Sequence, residues 1–337
     1  MRKQAPDREW YNLRSLLGYD WAMFYIILGA REAGKSYAIM DYFLSQWKKK
    51  KIPFVWLRLS EVSVQKMLAN KAEKFVDADL VRKYGLELTT KGGNVYDHGK
   101  KMAMVLSLSQ MAKLKGVALF DKDFLNDPNM RYHLCLDEFQ REKQEKKTFD
   151  ICYNLVNTLE NLLRSTKDKA KIFFVGNTLE EASDILTMFN FIPEEFGRYK
   201  LRSRRAVIDY IAPSQAYLNR RKGTAADLLT PDESTFTNKI KEDISLIWKG
   251  RLRAPSRIIK FGKKESEWFT VWDSNVIAPY KGEKCKALAM TPYIGEVFNS
   301  LERDDILIRF DNRTFWFRNL IAQKCFQKEL ESLKPRK

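Results

Sequence analysis

The residues Gly29-Ala30-Arg31-Glu32-Ala33-Gly34-Lys35-Ser36 carry the plainest chemistry in this chain. They fit G-x-x-x-x-G-K-[ST], a loop that cradles phosphate. Gly29 and Gly34 allow backbone angles and a close approach that a side chain would block. The loop N–H groups and the N-terminus of the next helix then face the phosphates. Lys35 would reach the β and γ phosphates of ATP, and the Ser36 hydroxyl would ligate Mg²⁺. A second cluster is Asp137-Glu138, closing the apolar run Tyr132–Leu136. Asp137 would hold Mg²⁺ through its water shell, and Glu138 would polarise the attacking water. Alone, an apolar run before Asp-Glu is common; downstream of a phosphate loop it gains weight.

Three further residues suit this chemistry. Phosphoryl transfer spreads charge over the γ oxygens, and a cation from a neighbouring subunit stabilises it. Arg164, ending a helical stretch, and Lys115, in a polar loop, are the candidates. Each has an ordinary reading too: a cation at a helix C-terminus, and a loop lysine. Asn177, after the apolar run Lys171–Val175, is placed to sense the γ phosphate or simply to turn the chain.

These residues need strand tips and a helix start to hold them. The spacing predicts strands over Phe24–Leu28, Phe54–Leu59, Lys101–Leu108, Tyr132–Leu136 and Lys171–Val175. Helices are expected over Lys35–Lys49, Glu61–Phe75 and Phe149–Ser165. Such alternation argues for a mostly parallel sheet covered by helices. Turn signals at Lys91–Asn94 and Asp97–Lys100 predict an inserted antiparallel hairpin.

With 337 residues, two domains are the expectation. The predicted organisation is an ATPase domain over 1–178, a small linker subdomain over 179–231, and a β-rich domain over 232–337. In the last, strands are expected over Asp243–Trp248, Arg257–Phe261, Glu267–Trp272 and Ile306–Phe310, with a helix over Trp316–Leu330. No run of eighteen apolar residues suggests a membrane span, and the first residues lack a signal-like apolar core. Four separated cysteines and two histidines argue against a zinc site and for reduced, intracellular thiols.

The net charge of +17 favours a polyanionic partner, of which nucleic acid is the commonest. Arg198, Lys200, Arg202, Arg204 and Arg205 form an acid-free run, and Trp248–Lys264 holds seven Lys or Arg, among them Lys249, Arg251 and Arg253. Aromatics interleave with the second run, as suits phosphate contact with stacking. A solvated strand face with aromatics turned to the core explains that run equally well.

Taken together, these residues resemble the DNA-packaging ATPases of phi29-like tailed phages. The resemblance rests on Tyr19-Asp20, Ile27–Arg31 and Gly34–Ala38; on Leu136–Phe139 with Arg141-Glu142-Lys143; and on Arg309–Asn312 with Arg318-Asn319. It implies an additional-strand (ASCE) P-loop ATPase domain, a linker, and an RNase H-like domain that has lost nuclease activity. It implies a homo-oligomeric ring, a pentamer, that uses ATP and Mg²⁺ to drive double-stranded DNA through the portal of a prohead. The setting would be the host cytoplasm and then the portal vertex. Some relatives add a structural RNA tether. The family's trans-acting arginine falls on Arg164 and its lysine on Lys115, with Lys113 as the competing register. Asp273 and Asp311 lie at expected strand ends without a third acid, so a docking or DNA-binding surface is expected there rather than a nuclease. Arg31, with a strand-end residue such as Arg58, is a candidate for a cis/trans switch. A P-loop helicase or replication ATPase, and an assembly protein using nucleotide as structural glue, are the other readings.

Overall fold

A computed structural model of the chain describes residues 8–110, 132–140, 149–163, 170–177, 184–229, 244–252, 255–260, 268–272, 275–279, 296–297, 308–309, 312 and 314–333. The chain divides into two compact units, one of Met1–Phe189 with Glu195–Ile240, the other of Asn190–Glu194 with Lys241–Lys337.

The first unit is built on β1 (Phe24–Leu28), β2 (Phe54–Arg58), β3 (Leu88–Lys91), β4 (Asn94–Asp97), β5 (Lys100–Ser107), β6 (Tyr132–Asp137), β7 (Ala170–Gly176), β8 (Gly197–Leu201) and β9 (Ala206–Tyr210). Among the described residues these form one sheet in the order β3-β4-β5-β2-β6-β7-β1-β9-β8. The strands from β5 to β9 run parallel, and β3, β4 and β8 pair antiparallel at the edges. The central strands are near-continuous apolar runs because both faces are covered; every residue of β6 is buried. Strand β7 lies between β1 and β6, so the glycine-rich loop and the Asp-Glu pair leave the sheet at neighbouring tips separated by one strand.

Helix Lys35–Lys50 packs on this sheet through Ile39, Met40, Phe43, Leu44 and Trp47, spaced to line one face. Phe43 meets Phe54, Trp56 and Phe173 at ring-centroid distances of 5.1, 6.2 and 5.5 Å, which ties the helix to β2 and β7. Its last turn carries Lys48, Lys49 and Lys50, complementing the helix dipole. Helix Glu61–Ala72, capped by the Ser60 hydroxyl, is shorter than its apolar pattern predicts. Ala72 itself adopts a positive φ of 64°, and a separate helix, Ala78–Tyr84, follows.

Corrections concern the middle and the end of the chain. Residues 179–231 were expected as a separate linking subdomain; instead they supply β8 and β9 to the main sheet and the helix Gln215–Arg221 to the same unit. The reason is β9: Ala-Val-Ile-Asp-Tyr is buried along its length and pairs with β1 residue for residue. In the second unit, β10 (Pro255–Lys260), β11 (Trp268–Trp272), β12 (Val276–Pro279), β13 (Glu296–Val297) and β14 (Trp316–Phe317) form a sheet in the order β13-β10-β11-β12-β14. The expected strand over Asp243–Trp248 is mostly a 3₁₀ turn, Ile244–Leu246, with a single bridge from Ile247 to Phe317. Ile308 and Arg309 are helical where a strand was expected. The last helix starts at Leu320 rather than Trp316, because the Asn319 side chain accepts from Ala322 N at 2.9 Å and caps it there. Phe326 on that helix packs against Phe269, Phe315 and Phe317.

Candidate active site at the glycine-rich loop

The loop leaves β1 at Leu28 and enters the helix at Lys35. Gly34 stands at the junction with φ 81°, a left-handed angle that other residues reach only with strain. At Gly29 the need is space, since a Cβ would lie 3.2 Å from Ile211 and 3.3 Å from the Lys35 chain. The Gly29 N–H donates to Asn177 O at 3.1 Å, so the tip of β7 anchors the first glycine. Gly176 is itself required by packing: an added Cβ would lie 3.0 Å from each of Leu28, Phe139 and Gln140.

Lys35 is buried, and its Nζ donates to Gly29 O at 2.8 Å and Ala30 O at 2.6 Å. Burial brings its pKa down to about 8, against the opposing pull of Asp137 and Glu138. Ser36 donates its hydroxyl to Asp137 Oδ1 at 2.8 Å. Asp137 is buried at the end of β6, and burial raises its pKa while Arg58, at the end of β2, opposes the rise. Arg58 Nη1 lies 3.6 Å from Asp137 Oδ2 and forms a closer ion pair with Glu138. Glu138 is 57% exposed on its side chain and sits at φ 53°, a turn that swings it off the β6 axis toward Arg58. Phe139 N then returns to Val175 O at 3.2 Å, locking the turn to β7.

The sequence reading thus brings together Gly29, Lys35, Ser36, Asp137, Glu138 and the Asn177 backbone at three adjacent strand tips. A half-buried serine hydroxyl beside a buried carboxylate is a set of hard oxygen donors that fits Mg²⁺. Arg164, Lys115, Lys113, Arg253, Asp273 and Asp311 lie outside the described residues.

Four residues to which sequence reasoning gave no part in the site hold the loop from its other side. Tyr11 N donates to Ala33 O at 2.9 Å. Its phenol donates to Asp209 Oδ2 at 2.8 Å, and burial, then the Asp209 carboxylate, push that phenol's pKa up. Tyr217 donates to Arg31 O at 2.9 Å, and Arg220 donates to Glu32 O at 2.8 Å. Arg221 pairs with the Glu32 carboxylate. The signal was present as Arg220-Arg221 but carried no hint of a partner almost two hundred positions away.

In the first basic run, Arg198 is tied into the fold. Its guanidinium donates to both oxygens of Asp209, at 3.0 and 2.8 Å, and to Ser15, so it serves the fold. Lys200 lies over the Tyr19 ring at 5.0 Å and Arg202 over Trp21 at 5.1 Å. Arg204 is exposed beside them, and Arg205 ends that turn with its Nε directed at Trp21 O. Lys249 and Arg251 are exposed.

Known proteins resemble this chain in sequence and in fold. A model of the podovirus DNA encapsidation protein (Gp16) family matches residues 7–248. The DNA packaging protein of Bacillus phage phi29 is 26% identical over 195 residues, covering 57% of this chain and 53% of that protein. The chain therefore spans about half the length of the curated relatives it matches. A chain of the bacteriophage phi29 viral genome packaging motor assembly shares the fold with a TM-score of 0.65 at 19% identity, over 97% of this chain and 100% of that one. A chain of the phi28 gp11 DNA packaging motor does so with a TM-score of 0.63 at 13% identity, over 98% and 99%. With the family model covering most of its length, this chain belongs to the podovirus DNA encapsidation protein family.

Proposed function

We propose that this protein is the Mg²⁺-dependent ATPase subunit of a ring that drives double-stranded viral DNA into a preformed capsid. The single observation that carries the reading is the hydrogen bond from Ser36 to Asp137 at 2.8 Å, with Lys35 and Glu138 beside it. Phosphate-loop cation, metal-type oxygen donors and an exposed carboxylate meet at one edge of one sheet, as γ-phosphoryl hydrolysis requires. Membership of the encapsidation family points the work at DNA.

In this mechanism the loop N–H groups and Lys35 hold the polyphosphate. Ser36 and Asp137 would hold magnesium, which supplies charge neutralisation to the phosphates when bound. Glu138 accepts a hydrogen bond from the attacking water and polarises it, while Arg58 pairs with Glu138 and lies beside Asp137. Asn177, at the tip of β7, reads the γ phosphate, and Arg164, with Lys115, completes the site of the adjacent subunit. The ring sits at the portal of the prohead in the host cytoplasm, and the second unit serves as an RNase H-like docking or DNA-binding surface without nuclease activity.

The test is a pair of substitutions in the full chain. Lys35→Ala is expected to abolish ATP binding and turnover together. Glu138→Gln is expected to keep binding but to lower kcat by at least about a hundredfold, the scale of general base catalysis. Packaging that survives Glu138→Gln would refute the motor reading.

A further inference from the structure

The glycine-rich loop has two ends, and the sheet distinguishes them. Lys35, Ser36, Asp137 and Glu138 gather on the side of β1 that faces β7 and β6. The terminal phosphoryl belongs there, because the water-activating carboxylate is there. A triphosphate lying along residues 29–36 therefore runs its other end toward the β9 side. What the fold places on that side is the segment before β1 and the residues after β9. Trp10 lies against the loop at its helix junction; a Cβ on Gly34 would be 3.1 Å from its ring. Ile211, next after β9, approaches Gly29. Tyr217 and Arg220 hold the carbonyls of Arg31 and Glu32.

Trp10 is out of place as a packing residue. It is 52% exposed, a large aromatic surface left open beside a site for polyanions. Its ring is nevertheless fixed: the Arg220 guanidinium sits 4.2 Å from its centroid, and Arg220 is in turn held by Glu9 at 2.8 Å and by Glu32 O. An exposed aromatic that is braced beside the phosphate loop, on the side where the segment before β1 meets it, is a preorganised stacking surface.

We propose that Trp10, braced by Arg220, is the platform on which the nucleobase of the bound triphosphate stacks. The segment Glu9–Tyr11 and the helix Gln215–Arg221 thus form the nucleoside end of the site. This rests on the reading of residues 29–36 as a nucleoside triphosphate site and adds the feature that separates a nucleotide from bare polyphosphate. Because every base has an aromatic face, the platform favours nucleotides over polyphosphate far more than one base over another.

The experiment compares ATP with inorganic tripolyphosphate by titration calorimetry on the full chain, Trp10→Ala and Trp10→Phe. Wild-type protein should bind ATP more tightly than tripolyphosphate. Trp10→Ala should weaken ATP by about tenfold or more, the scale of one lost base stack, and leave tripolyphosphate within about twofold. Trp10→Phe, which keeps a stacking face, should recover most of the loss; it also guards against a variant that merely fails to fold. Equal weakening of both ligands by Trp10→Ala would mean that Trp10 acts on the loop through Gly34, and the platform would be refuted. Wild-type affinity no better for ATP than for tripolyphosphate would refute it too, while leaving the phosphate loop intact. Wild-type protein that binds neither ligand overturns the ATPase reading, and the platform falls with it.

Discussion

Lys35 shows how the fold sets the state of a single group. An exposed lysine titrates near 10.5, whereas burial brings this one to about 8. Between those values the unfolded chain holds more protons at this position than the folded one, so Lys35's contribution to stability rises with pH across that window. Below it, the folded protein carries the full cost of a buried cation. A bound polyphosphate reverses the balance by favouring the ammonium form. Binding at about pH 8–9 should therefore take up part of a proton per site, and affinity should fall as pH climbs further. Calorimetry in buffers of different ionisation enthalpy measures the uptake on the wild-type chain, and it should vanish as the pH falls to about 6, where Lys35 is already protonated before binding. Asp137 moves in the opposite sense: burial raises its pKa, and the nearby Arg58 limits that rise.

The controlling element is β7. It separates the strand that feeds the phosphate loop from the strand that ends in Asp137, and its tip bonds to both turns, at Gly29 N and Phe139 N. Position 176 lies between these tips and has little room for a side chain. Gly176→Ala would set a methyl group 3.0 Å from side-chain atoms of Leu28, Phe139 and Gln140, so all three would have to shift. The expected cost is about 1–3 kcal/mol of stability, read from the denaturation midpoint. ATP turnover should fall by more than the loss of folded protein explains, because the strain lands between the phosphate loop and the catalytic carboxylate. The helix Gln215–Arg221 acts on the same loop from the other side, by holding the carbonyls of Arg31 and Glu32.

Across the whole molecule, net charge and charge placement make separate predictions. A protein of charge +17 that grips phosphates should bind duplex DNA with a steep salt dependence and little regard to sequence. Lys249→Ala and Arg251→Ala, both at exposed positions, should each lower the slope of log K against log salt by about one, measured by fluorescence anisotropy over a salt series. Arg198→Ala should leave that slope alone and instead cost about 3 kcal/mol of stability, because it strands the buried Asp209 carboxylate beside Tyr11. The same denaturation measurement separates the two outcomes, although all three residues look alike as basic positions in the sequence.

The sequence by itself determined the phosphate loop, the Asp137-Glu138 tip, the apolar strands between them and the edge hairpin. Those features are local: a glycine where the chain must turn, a buried run where both faces are covered, a carboxylate where an apolar run stops. Only the tertiary structure decided that β7 stands between the two site-bearing strands, that residues 197–210 belong to the main sheet, and that Arg58 sits against both carboxylates. It also decided that Arg198 pairs with Asp209 and that Trp10, Tyr217 and Arg220 meet the loop. These depend on which distant segments the sheet brings side by side. Pairing of that kind is set by the summed burial of whole strands, and no short window of residues contains it.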